Sequence, residues 1–142
     1  MPDIQERKED EAERVTAAEA FSRADLACSF GPSFFLGHLG GFVRDRCPDP
    51  KENLPTVVVR LADGEALDVC HIIAVSPRWV MLAVRDAANH RDGMAVELVP
   101  YEMIRHVRIV TRHAEGPSIG FSQTRPPEVI KPETLLRAAM AP

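Results

Sequence analysis

The twelve residues from Val96 to Val107, VELVPYEMIRHV, constrain the fold more than any other stretch. An apolar run reaches Pro100, which has no N–H to give to a ladder and therefore belongs at a strand end. A second strand pattern starts at Ile104, so only Tyr101 to Met103 remain between the two. Three residues suffice for one 3₁₀ turn and nothing longer. The pattern predicts two strands meeting at a tight joint, as small and strongly bent β-barrels require.

The residues before the joint fit the same plan. Val57, Val59 and Leu61 alternate, Asp63-Gly64 interrupts, and Leu67, Val69, His71, Ile73 and Val75 alternate again. Alternation marks half-buried strands. Asp-Gly between two such runs is a hairpin signal, because Gly accepts the positive φ that a tight turn matched to strand twist demands. Ser76-Pro77 ends this long second strand, RWVMLAVRD makes a third, and AANHRDG is the widest loop. MAVELVP and RHVRIVT supply the fourth and fifth. Five short consecutive strands within 55–111 suit a closed or nearly closed antiparallel barrel, which hides its edges.

The flanks divide the rest. Residues 1–28 read as a charged start followed by an N-terminal helix. Capping-box pairs occur at Asp3/Glu6 and Thr16/Glu19, and Ala17, Ala20, Phe21, Ala24, Ala27 and Cys28 form an apolar stripe. Residues 29–54 read as a Phe- and Gly-rich connector with a Pro linker, its glycines allowing close backbone approach beneath the aromatics. Residues 112–142 hold five of the twelve prolines and read as an arm outside the core, with a short helix or disorder in KPETLLRAAMAP.

Charge excludes some functions. The net charge is -4, of which residues 3–14 carry -3, and 55–111 holds six Arg and no Lys against seven acids. Wholesale attraction of nucleic-acid phosphate needs clustered cations instead. Three cysteines, Cys28, Cys47 and Cys70, are an odd and sparse set that suits reduced thiols and a cytoplasmic protein. The densely charged start does not resemble an export signal. The longest apolar runs, WVMLAV and FFLGHLGGFV, fall short of the ~20 residues that span a bilayer, so no membrane is expected.

VVVRLADGEAL (57–67) and VELVPYEMIRHVRI (96–109) resemble the two sequence motifs of the Sm-like family. The first is its apolar-x-Leu-x-x-Gly hairpin, and the second its sharp turn into an isoleucine-led strand. The resemblance implies a mainly β fold with an N-terminal α-helix, the five strands forming a strongly bent antiparallel Sm-like or SH3-like small barrel. It also implies a homo-oligomeric ring in which strand four of one subunit pairs with strand five of the next. Where bacterial relatives carry a Lys-His pair that grips uridine-rich RNA, and archaeal and eukaryotic ones an Arg-Gly, this chain carries Tyr101-Glu102. Glu102 repels phosphate. Val69 and Cys70 stand where relatives often have a bend glycine.

Candidate chemistry is sparse. Tyr101 is a base-stacking or rim residue, and Arg105 and His106 are the cations nearest the joint, on opposite faces of a regular strand. Cys70-His71 cannot converge on one atom without a bulge, and His71 reads as a core histidine in register with Val69 and Ile73. Asp86, His90 and Asp92 share the widest loop and are a loose metal-ligand set, with polar loop composition the plainer account. The expectation is a non-enzymatic module without a cofactor that self-associates through strands four and five. An RNA-binding ring using Tyr101, Arg105 and His106 is the first alternative, and a monomeric SH3-like interaction domain the second.

Overall fold

A computed structural model describes residues 16–46, 54–86, 93–110 and 120–131. The fold is mainly β. Strands β1 (Thr56–Leu61), β2 (Ala66–Val75), β3 (Trp79–Arg85), β4 (Met94–Pro100) and β5 (Ile104–Val110) form one sheet in the order β4-β3-β2-β1-β5. Neighbours along this path are antiparallel, and a sixth short strand, β6 (Glu128–Val129), pairs parallel with β2.

The alternation of apolar residues becomes an inward face. Val57, Val59, Leu67, Val69, Leu82, Val84 and Val99 are all buried in one core. Strand β2 is long enough to serve two neighbours: Ala66 to Val69 pair with β1, and Val69 to Val75 pair with β3. Bulges between Val69 and His71 and between Ile72 and Ala74 bend it, which is how a single strand turns a sheet corner. The Asp63-Gly64 turn is formed as expected. Gly64 has φ +91°, its N–H reaches the Leu61 carbonyl at 3.0 Å, and the Asp63 carboxylate accepts the Glu65 N–H at 2.9 Å.

The expectation of a closed or nearly closed five-stranded barrel needs correction. Among the described residues the sheet has six strands and is not closed, because β4 pairs only with β3 and β5 only with β1. Pro100, the last residue of β4, stands opposite Trp79 of β3, and β4 and β5 do not pair with each other. The 3₁₀ turn Tyr101–Met103 sends β5 across to β1 instead.

A helix, α1, covers residues 16–27, and Phe21 and Cys28 pack against the core. The chain is helical again from 32 to 46, through a π-helical turn, Phe34–His38, and helix α2, Leu39–Arg46. The sequence reading made this a connector. Three glycines argue against a helix on propensity, but Phe35 and Leu39, four residues apart, both enter the core at 1% and 0% exposure. Tertiary burial outweighs the local cost. Gly37, Gly40 and Gly41 do not serve close approach: a Cβ on any of them would meet nothing within 4 Å. Asp25 ties the two helices, accepting the Ser33 N–H at 2.8 Å and the Ser33 hydroxyl.

The stretch read as an arm also enters the fold. Gly120 has φ +74°, and a Cβ there would lie 2.4 Å from the Leu54 Cβ, so only glycine fits. The turn aims Phe121 into the core at 1% exposure. Beyond it, residues 122–130 run beside β2. The Ser122 N–H reaches the Cys70 carbonyl, and the Gln123 amide accepts the Ile72 N–H at 2.8 Å and donates to the Ile72 carbonyl at 2.9 Å. No helix among the described residues is long and apolar enough to cross a membrane.

Candidate functional site

The joint positions the residues singled out in the sequence. Pro100 is extended (φ -60°, ψ 138°), the turn closes with the Ile104 N–H on the Tyr101 carbonyl, and Ile104 is extended again. Tyr101 points inward and is 2% exposed. Its hydroxyl donates to the Ser76 carbonyl at 2.7 Å, and its ring lies 6.2 Å from that of Phe35. Burial first, then the nearby Asp25 and Cys28, push the Tyr101 hydroxyl far above its ordinary pKa. Stacking a base on this ring would require pulling it out of the core.

Ser76 organises the other side of the contact. It is fully buried, and its hydroxyl donates to the Trp79 carbonyl while accepting the N–H groups of Arg78 and Trp79. The Tyr101 bond therefore fastens the joint to the β2–β3 turn. A second bond, from the Ala62 N–H to the Met103 carbonyl at 2.8 Å, fastens it to the β1–β2 turn.

Arg105 and His106 are both exposed. The strand is not regular here. Leu61 pairs with Ile104 and Arg60 with His106, so Arg105 is the extra residue of a bulge. Directly opposed residues share a face, which puts His106 beside Arg60 and Arg108 beside Val58. The outer face of β1 and β5 thus carries Arg60, His106 and Arg108 together. Sequence spacing pairs His106 with Arg108 at i, i+2, but Arg60 is 46 positions away and only the strand register supplies it.

Strand β4 presents a different surface. Met94, Val96 and Leu98 are 50%, 60% and 55% exposed, and all leave the same face of the strand. They stand opposite Arg85, Ala83 and Met81 of β3.

The remaining candidates separate. The bulge after Val69 moves Ile72 into the core, leaving His71 half-buried and outside it, contrary to its reading as a core histidine. Cys70 is buried and its thiol is raised by burial and by Asp68, against the pull of Arg85. A raised thiol is a poor nucleophile. Asp68 is raised by burial, again opposed by Arg85, and its Oδ1 is buried without a hydrogen-bond partner among the described residues. Of the loop set, His90 and Asp92 lie outside the described residues. No group of three metal-ligating side chains occurs among those described.

Two concave regions flank these features. A cleft of about 530 Å³ lies between the end of α1, the β2–β3 turn and the joint. A groove of about 710 Å³ runs between α2 and the segment from Phe121 to Pro127.

No family model, curated protein or solved structure matches this chain. The described residues define a mainly β protein: an open, six-stranded sheet with an N-terminal helix, in which β4 and β5 are the outer strands on either side of the joint.

Proposed function

We propose that the chain is a non-enzymatic Sm-like protein that assembles with copies of itself through the edges of β4 and β5 and serves as a structural or protein-interaction module. One observation carries this reading: among the described residues, the outer side of β4 has no strand partner, and the strand displays Met94, Val96 and Leu98. An edge with that composition invites pairing unless something covers it. Charge supports a head-to-tail contact, since Glu97 and Glu102 lie on and beside β4 while Arg105 and Arg108 lie on β5. Such a contact joins different surfaces and generates a ring when its rotation closes. Free thiols at Cys28 and Cys70 favour a cytoplasmic setting.

Gel filtration with light scattering tests the assembly. A defined oligomer at micromolar concentration is expected, and a clean monomer would sink the reading.

Co-facial Arg60, His106 and Arg108 favour a second reading, an RNA contact on the outer face of β1 and β5. Filter retention of short oligo(U) or oligo(A), falling with salt and lost in Arg60→Glu/Arg108→Glu, would support it. No retention at low salt would dismiss it.

A further inference from the structure

The groove between α2 and the segment from Phe121 to Pro127 contains two glycines that the described residues do not explain. Leu36, Gly37, Gly40 and Val43 build its helical side, and Leu54 and Phe121 lie on the other. Glycine is the least favourable helix residue after proline. Neither Gly37 nor Gly40 has a positive φ, and a Cβ on either would meet nothing within 4 Å. Backbone conformation and internal packing therefore give both glycines no use. Leu36 is 37% exposed in the same groove.

A groove of about 710 Å³ with bare helix backbone along one side suits a second helix that approaches closely, because the distance between packed helices is set by the side chains at the contact. The chain outside the described residues holds one sequence of that kind. Residues 1–15, 47–53, 87–92 and 111–119 are mostly charged, polar, Gly or Pro, whereas 132–142 carry Leu135, Leu136, Ala139 and Met140 at the spacing of one helix side. The start of this segment is close by. Pro127 belongs to the groove wall, and Lys131, the last described residue, is four positions further on, at most about 14 Å along an extended chain. Eleven residues make about three helical turns, about 16 Å long.

We propose that residues 132–142 dock in this groove of their own chain as a short amphipathic helix, with Leu135, Leu136, Ala139 and Met140 turned to the glycine face. Gly37 and Gly40 then serve the close approach of two helices, and Leu36 and Val43 gain apolar neighbours. A helix of this length is marginal in water by itself, so docking and helix formation are one event. The proposal goes beyond self-association, because none of the groove residues belongs to β4 or β5.

Urea unfolding of the full chain tests it. Leu136→Ser with Met140→Ser should lower the urea midpoint by about 1 M, because two apolar side chains lose their burial. Gly40→Leu should lower the midpoint of the parent by filling the space that the segment takes. In the double serine variant the same Gly40→Leu should raise the midpoint, because leucine then only improves the helix. That reversal of sign is the coupling expected of two groups in contact. An unchanged midpoint for the serine variant, a higher midpoint for Gly40→Leu in the parent, or an equal loss from Gly40→Leu with and without the serines would overturn the proposal. Light scattering on the same solutions identifies whose segment is bound: a mass that falls in the serine variant, with a parent midpoint that rises with protein concentration, would assign the groove to a second copy and overturn docking within one chain. A monomer that shows the sign reversal would end the assembly reading and leave this one standing.

Discussion

The free side of β2 and the free side of β4 meet the same problem in opposite ways. Past the end of β1, the second half of β2 would expose its backbone N–H and C=O groups, and residues 120–130 cover them. Gln123 takes both groups of Ile72 with one side-chain amide, and β6 pairs with Ala74 and Val75. Among the described residues no strand covers the outer side of β4, which adds an exposed aliphatic row. On the proposed reading the covered edge serves stability and the uncovered one association.

This contrast can be broken by experiment. Phe121→Ala should have the largest effect, about 3–5 kcal/mol, because it empties a core position and loosens the covering segment. Urea unfolding of the variant measures this, and a loss under ~1 kcal/mol would mean that the segment is dispensable. Gln123→Ala should cost about 1–3 kcal/mol, since the two backbone groups of Ile72 lose their partner. Tyr101→Phe leaves the Ser76 carbonyl without its donor and should cost about 1–2 kcal/mol by the same measurement.

On the bare edge the expected pattern reverses. Val96→Glu with Leu98→Glu should leave the unfolding free energy of the monomer within about 0.5 kcal/mol while abolishing the proposed assembly, with light scattering as the measurement. Equal association by the double variant would remove β4 from the interface.

The smallest effect concerns Asp68, on the outer face between the two edges. Burial raises its carboxyl, so the native state holds that proton more tightly than the unfolded chain does. Its favourable contribution is complete below the unfolded value of about 4 and is lost as pH rises through the higher folded value. Asp68→Asn should therefore gain stability relative to the parent as pH increases from 4 to 7. Urea midpoints at several pH values would show this, and parallel curves would exclude it.

Much of the sheet was legible because its signals are local. Alternation located β1 and β2, runs bounded by turn and loop signals located β3, β4 and β5, and Asp63-Gly64 and Pro100 located the tightest turns. The misses share a cause. Phe35 and Leu39 lie in a glycine-rich stretch of poor helix propensity, and their helix exists because the core of the sheet accepts both side chains. Phe121 follows a glycine in a proline-rich tail, and nothing near it announces that Leu54 and the core are waiting. His71 keeps perfect period with Val69 and Ile73 in sequence, but a bulge shifts the phase between them. The candidate site divides similarly. Tyr101, Arg105 and His106 stand out from their neighbours in sequence, yet Tyr101 is a core anchor, and the partner of His106 is Arg60 on another strand.

The sequence by itself determined where strands begin, where they end, and that a three-residue joint must redirect the chain at Pro100. Those properties follow from φ restrictions, missing N–H groups and side-chain alternation, which act within a few residues. Only the tertiary structure decided which edges are covered and which cations share a face. Each of these depends on hydrogen-bond partners tens of residues apart, chosen by how the whole sheet bends and not by any local preference.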